Sequence, residues 1–201
     1  MKIIGITGGV GSGKSQILSY IANKYHCKVL MADVVAQMFL EPGHSCYDQL
    51  VSLLGKEIIK NDQTIDRGKM GEKIFFNKNL LYEVNKIIHP AVKTYIKNCI
   101  KEEQIKGMID FFFIEAALLI EDNYAEIIDE LWYIYATIEI RQERLQTSRQ
   151  YSKEKIDSIM KEQLSEEEFR KHCDVIIDNS NSLQESYNQI DKKLGEYLWQ
   201  R

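Results

Sequence analysis

The chain has 201 residues, a length at which folding buries roughly 70% of the unfolded surface and sustains a hydrophobic core. An apolar fraction of 44% against 28% charged residues, with 2 prolines and 11 glycines, excludes a long disordered or low-complexity tract. The net charge of −4 disfavours nonspecific nucleic-acid binding, and the four cysteines, Cys27, Cys46, Cys99 and Cys173, form no C-x-x-C pair and read as reduced core thiols.

The chain opens MKIIGITGG, an apolar run too short for a signal-peptide core. Residues 2–7, KIIGIT, are rich in β-branched side chains and predict a buried strand that runs straight into a glycine loop. Beyond the loop, Ile17, Leu18, Ile21 and Ala22 recur at helical spacing. KVLMA at 28–32 predicts a second strand ending at Asp33. The segment from there to the third strand carries helical patterns only, broken by EPG at 41–43 and by Pro90, which is expected to disturb or restart the long helix around it. MIDFFFIE at 108–115 and ELWYIYAT at 130–137 predict the third and fourth strands. FFFIEAALLI at 111–120 is the longest apolar stretch; Glu115 interrupts it, and it falls short of the ~20 residues a membrane span needs. DVIID at 174–178 predicts the fifth strand, after a helix opened by the capping-box pattern SEEE at 165–168. The last helix opens SLQE at 182–185, where Ser182 and Glu185 are expected to satisfy each other's backbone donors. Five apolar runs separated by helices define an α/β class with a parallel sheet covered on both faces, read as a single domain over 1–201. It would carry a helical substrate-side insertion near 34–105 and a lid near 139–172. No internal repeat is visible, and a cytoplasmic protein without membrane association is expected.

The chemistry is written in Gly8-Gly-Val-Gly-Ser-Gly13-Lys14-Ser15, a full match to G-x-x-x-x-G-K-[ST] between a strand and a helix. Glycines let backbone N–H groups turn toward an anion, and the following helix points its positive end at the same place. The nucleotide-contacting run is Gly9, Gly11, Ser12, Gly13, Lys14, Ser15 and Gln16, with Lys14 reaching the outer phosphates of ATP and the Ser15 hydroxyl ligating magnesium. A GTP switch would need N-K-x-D, whereas Asn77-Lys78 and Asn85-Lys86 are followed by Leu80 and Ile88. Glu115 at the end of the third strand can serve magnesium, but the short chain shows no multi-domain machinery, so transfer is favoured over hydrolysis.

Transfer needs an acceptor site and cations. Asp33, at the carboxyl end of the second strand, can orient an acceptor hydroxyl or cap the helix that begins there. The run EIRQERLQTSRQYSKEK at 139–155 sets Arg141, Arg144, Arg149, Lys153 and Lys155 on a helical hairpin that suits a lid over ATP. Arg144 is the leading catalytic cation and Arg149 the next; a solvated face paired with Glu139 and Glu143 is the plain alternative.

These segments together resemble the dephospho-coenzyme A kinases. The resemblance is carried by GITGGVGSGKS, the Ala32-Asp33 pair, EPG, DRGKMGEKIFFN at 66–77, IHP at 88–90, LLIE at 118–121, the Arg-rich helix with Gln163 downstream, and DVIIDN at 174–179. It implies an ATP- and magnesium-dependent P-loop kinase fold that phosphorylates the ribose 3′-hydroxyl of dephospho-CoA. Asp33 would face that hydroxyl, Arg67 and His89 would belong to the acceptor side, and the Arg144 helix would be the lid. A monomer with small-molecule substrates is expected. The chain departs from the family pattern at four places. Met31 stands where the first acid of D-x-D is usual, leaving Asp33 alone. Gln16 replaces a second hydroxyl. Glu115-Ala-Ala117-Leu-Leu keeps the acid of D-x-P-L-L but not its proline. Arg144 and Arg149 are one residue further apart than usual, which turns one of them by about 100° unless the helix absorbs an insertion. Another small-molecule or nucleotide kinase, or a nucleotide-binding protein with impaired transfer, would keep the same loop.

Overall fold

The structure, a computed structural model, describes residues 1–75, 77–116 and 119–199. In chain order the elements are β1 (Lys2–Thr7), α1 (Lys14–Lys24), β2 (Cys27–Met31), α2 (Ala32–Met38), α3 (Tyr47–Leu54), α4 (Arg67–Phe75), α5 (Lys78–Lys106), β3 (Phe111–Glu115), β4 (Glu130–Tyr135), α6 (Ile138–Arg149), α7 (Lys153–Lys161), α8 (Glu166–His172), β5 (Val175–Asp178) and α9 (Leu183–Leu198). The chain divides into two compact units: Met1–Val29 with the described chain from Gly107 onward, and Leu30–Lys106.

The five strands form one sheet in the order β2-β3-β1-β4-β5, the chain passing from the first unit to the second within β2, and the pairs β1–β3, β1–β4 and β4–β5 are parallel. Strand β1 is central, and the chain leaves it to one side and returns to the other. The loop after β1 therefore opens at the reversal of strand order, where α/β sheets bind ligands. Ile4, Ile6, Phe113, Trp132, Ile134 and Ile177 cover one face and pack against Ile17 and Ile21 of α1 and Ile190 and Leu194 of α9. Gly5 points to the other face, where a Cβ would stand 2.9 Å from Leu131 and 3.0 Å from Ile128; Phe169 of α8 stacks on Tyr133 on its side of the sheet at 4.7 Å.

β1 fills its apolar run and β2 is displaced by one residue because Ala32 opens α2, whereas β3, β4 and β5 are shorter than theirs. β3 starts at Phe111 rather than Met108 because its neighbour β1 begins at Lys2, directly opposite Phe111, and Met108 is exposed. β4 stops at Tyr135 because Thr137 turns to cap α6, its side chain accepting from the Ile140 N–H at 3.4 Å. Ser165 and Glu168 form the full capping box at α8. At α9 only half of the reciprocal arrangement forms: Ser182 accepts from the Glu185 N–H, but the Glu185 carboxylate takes the Ser182 hydroxyl and the Asn181 amide.

The second unit is helical. Cys46, Leu50, Leu54, Ile58, Ile65, Met70 and Val84 form its core. A short 3-10 turn, Lys56–Ile58, and an antiparallel bridge between Ile59 and Ile65 interrupt the helices. Contrary to the sequence expectation, Pro90 does not divide the long helix: α5 runs unbroken for 29 residues. Pro90 and Lys86 are both exposed, so the carbonyl that loses its N–H partner meets water, while Val84, Val92, Ile96 and Ile100 anchor the helix on both sides.

Candidate active site

The loop between β1 and α1 folds as the glycine pattern demands. Gly13 sits at φ 91 and caps α1 without a side-chain bond, so the first N–H groups of an 11-residue helix have no partner in the helix itself. Each loop peptide that turns its N–H toward an anion turns its carbonyl away, and those carbonyls need donors. Lys14 Nζ bends back to donate to Gly8 O at 2.7 Å and Gly9 O at 3.5 Å. Arg141 Nε donates to Val10 O at 2.9 Å. Arg144 Nη1 lies 3.5 Å from Gly11 O and 3.3 Å from Ser12 O, and Asn179 Nδ2 donates to Ser12 O at 2.8 Å. Gln163 Oε1 accepts from both the Val10 N–H and Arg141 Nη2, tying α6 to the loop. Arg141 also explains Gly9, since a Cβ there would fall on its guanidinium. Burial draws the Arg141 guanidinium below its ordinary pKa, but it starts so high that it stays charged at neutral pH.

Of the cations expected on the lid helix, Arg144 is at the loop. The arginine beside it there is Arg141, not Arg149. Helix α6 is continuous to Arg149, so no insertion is absorbed within it; Arg149 closes the last turn, 6.0 Å from the Tyr151 ring, before Gln150 adopts a left-handed conformation. Arg141, Arg144 and buried Leu145 share one helical stripe, a signal visible in the sequence, but Arg149 continues that stripe and periodicity alone does not separate them. The roles of Gln163, an acceptor from the Val10 N–H, and Asn179, a donor to the Ser12 carbonyl, have no local sequence signal, because both reach the loop from more than 150 residues away.

Glu115, at the carboxyl end of β3, is buried with 8% exposure and lies 3.9 Å from Lys14 Nζ. Ser15, in the first turn of α1, is exposed, as is Gln16. The Ser12 hydroxyl is buried, has no hydrogen-bond partner among the described residues, and reaches back over Gly8, 3.1 Å from where a Cβ would stand. Among the described residues no group of three or more His, Cys, Asp or Glu assembles to cage a metal. A serine hydroxyl and one carboxylate suit magnesium, which takes one or two protein oxygens and completes its shell with phosphate and water.

The remaining expected site residues lie in the helical unit. Asp33 is exposed in the first turn of α2, whose N-cap position is Met31, without a side-chain bond. Arg67 is the exposed first residue of α4, capped by Asp66 Oδ1, which accepts from the N–H groups of Gly68 at 2.9 Å and Lys69 at 3.1 Å. A guanidinium at a helix's positive end opposes the macrodipole, so Arg67 is not there to steady α4. His89 is half-buried inside α5. Phe76, Ala117 and Leu118, part of the segments that carry the family resemblance, lie outside the described residues.

A parallel sheet with a G-x-x-x-x-G-K-S loop at its reversal point, flanked by helices, defines a P-loop kinase-like nucleotide-binding protein. The family model described as dephospho-CoA kinase matches residues 2–185. The dephospho-CoA kinase of Oceanobacillus iheyensis is 36% identical over 196 residues, 97% of each chain, and that of Carboxydothermus hydrogenoformans is 35% identical, covering 99% of this chain and 96% of its own. The crystal structure of TT1252 from Thermus thermophilus superposes with a TM-score of 0.80 at 26% identity, covering 97% of both chains. This chain belongs to the dephospho-CoA kinase family, and as a kinase it takes ATP as its phosphoryl donor.

Proposed function

We propose that the protein transfers the γ-phosphoryl group of ATP to the ribose 3′-hydroxyl of dephospho-CoA, giving CoA and ADP. The observation that carries this reading is the Gly8–Ser15 loop, whose carbonyls are held from behind while Gly13 caps the start of α1 with no side chain over its first N–H groups. In the reaction the bond from the γ-phosphorus to the β–γ bridging oxygen breaks, a bond to the 3′-oxygen forms, and the hydroxyl proton leaves toward Asp33. Because such a transition state is loose, Asp33 need only orient the hydroxyl.

Gly9, Gly11, Ser12, Gly13, Ser15 and Gln16 hold the nucleotide's phosphates, and Lys14, whose ammonium has three donors, reaches their oxygens while keeping its bond to the Gly8 carbonyl. Arg144 supports the transferring group from the lid helix, with Arg149 as that helix's second cation. Arg67 and His89 bind the acceptor. Ser15 and Glu115 are the residues that would hold magnesium, whose charge neutralises phosphate oxygens when it is bound. Among the described residues no helix is long and apolar enough to cross a membrane, and we assign the protein to the cytoplasm as a monomer acting on small molecules, not on nucleic acid.

The test is incubation with magnesium, ATP and dephospho-CoA, reading product mass and the position of the new phosphate. CoA phosphorylated at the 3′-position is expected, and its absence while ATP still binds would reject the acceptor.

A further inference from the structure

We propose that Asn179, oriented by Ser186, is a positioning residue that aims the phosphate loop's N–H groups; this rests on the reading of Gly8–Ser15 as the ATP phosphate site. A trans peptide is planar, and its C=O and N–H point in opposite directions. Holding the carbonyl of residue 12 from behind therefore turns the N–H of residue 13 toward the other side. The same logic repeats along the loop: the bond from Lys14 to the Gly8 carbonyl fixes the Gly9 N–H, and that from Arg141 to the Val10 carbonyl fixes the Gly11 N–H. The carbonyls of residues 8, 10 and 12 are held, and the amides of Gly9, Gly11 and Gly13 are aimed away from them.

Asn179 is the most constrained of these donors. Its side chain is short and fully buried, whereas lysine and arginine reach the loop on long flexible stems. All of its polar groups are engaged. Its N–H donates to Tyr135 O at 2.8 Å, its carbonyl accepts from Arg144 Nη2 at 2.9 Å, Nδ2 donates to Ser12 O at 2.8 Å, and Oδ1 accepts from Ser186 Oγ at 2.8 Å. The amide can face only one way, because the Ser12 carbonyl accepts and cannot donate. Ser186, itself fully buried in the first half of α9, supports that choice: its hydroxyl stands 2.8 Å from Oδ1, nearer than the carbonyls of Asp178 at 3.0 Å and Ser182 at 3.4 Å that compete for its one proton. Gly13 belongs to the same arrangement: a Cβ there would occupy the space of Asn179 Nδ2. Asn179 thus links the end of β4, the loop and Arg144 through one residue.

The test uses Asn179→Asp, which is isosteric but sets an acceptor against the Ser12 carbonyl, and Ser186→Ala, which leaves the amide in place without its orienting partner. Calorimetric binding of magnesium–ATP without acceptor reads the relay independently of the reaction: a wild-type protein that binds ATP yet leaves dephospho-CoA unphosphorylated would reject the proposed function and still test the relay. The dissociation constant for ATP is expected to rise about tenfold or more in Asn179→Asp and about threefold in Ser186→Ala, the scale of one buried hydrogen bond. In turnover, KM for ATP should rise while KM for the acceptor stays within about twofold, a split that general loosening of the fold does not produce. Asp191→Asn, which loosens the tie of α9 to Tyr20, Tyr25 and Lys24 without touching Ser186, is the control: it should lower Tm and leave ATP affinity unchanged. If Asn179→Asp does not fold, Ser186→Ala decides. Folded variants that bind ATP within twofold of wild type would overturn the proposal.

Discussion

At the scale of the residue, Lys14 and Asp33 divide the proposed chemistry between donor and acceptor. Lys14→Ala should abolish transfer while leaving the circular dichroism spectrum unchanged, since its ammonium meets loop carbonyls and Glu115 at the phosphate site rather than the sheet core. Near-normal turnover would remove the loop from the mechanism. Asp33→Asn should lower kcat much more than it raises KM for ATP, because the residue acts on the acceptor; an unchanged kcat would reduce it to a first-turn charge favourable to α2. Gly9→Ala should raise KM for ATP by displacing Arg141 from Val10 and Gln163, and kinetics at varied ATP would show it. The loop was legible from its residues because its function is a backbone function, and the glycines that permit it all fall between Gly8 and Gly13. Arg141 was not, since the sequence shows that an arginine is on a helix but not which carbonyl it will meet once residues 10 and 141 are brought together.

At the scale of the element, α9 is fastened to the sheet unit by two carboxylates. Asp191 accepts from Tyr20 and Tyr25 hydroxyls and from Lys24, at 2.8, 2.6 and 2.6 Å, and Glu130 accepts from Trp132 Nε1 at 3.0 Å, from Lys2 at 2.8 Å and from Tyr197 of α9. Burial pushes both carboxyls up, but these bonds outweigh it and hold both below the ordinary carboxylate range. A carboxyl with a lowered folded-state pKa contributes stability above its unfolded value and loses it as pH falls through the folded one. The urea midpoint should therefore hold steady from neutral pH to about 5 and drop below about 4. Asp191→Asn should flatten part of that drop; an identical acid slope would show that α9 is held by its apolar face alone. On α5, Pro90→Ala restores a backbone donor opposite Lys86 and should stabilise the protein by about 1–2 kcal/mol in urea unfolding. Pro90 shows where reading elements from sequence stops. Proline's local cost was visible, but the flanking apolar anchors Val84 and Val92 carry the helix through it, and their packing is tertiary. The strand ends were misjudged for a related reason, because β3 can begin only where β1 offers it a partner.

At the scale of the whole molecule, a chain of net charge −4 works on polyanionic substrates, so binding depends on a few local cations rather than on an overall field. KM for ATP should rise with ionic strength between about 50 and 300 mM, and less steeply in Arg144→Ala than in wild type, because one of the screened cations is gone. The α/β class, the five strands in their order along the chain and the helical stretch between the second and third were readable from periodicity. The sheet's spatial order and the separate core of Leu30–Lys106 were not, since both depend on pairings and packing distant in sequence. The two tryptophans give those cores different optical signatures. Trp132 is fully buried in the sheet core, Trp199 is 91% exposed, and the helical unit Leu30–Lys106 contains none. Tryptophan emission, excited selectively past the tyrosine band, therefore sees the sheet-bearing unit alone: a blue band from Trp132 that shifts red when the sheet opens, and a red band from Trp199 that iodide quenches in the native state. Helical ellipticity sees both halves, so any gap between the fluorescence and ellipticity melting curves would measure how independently the helical unit comes apart.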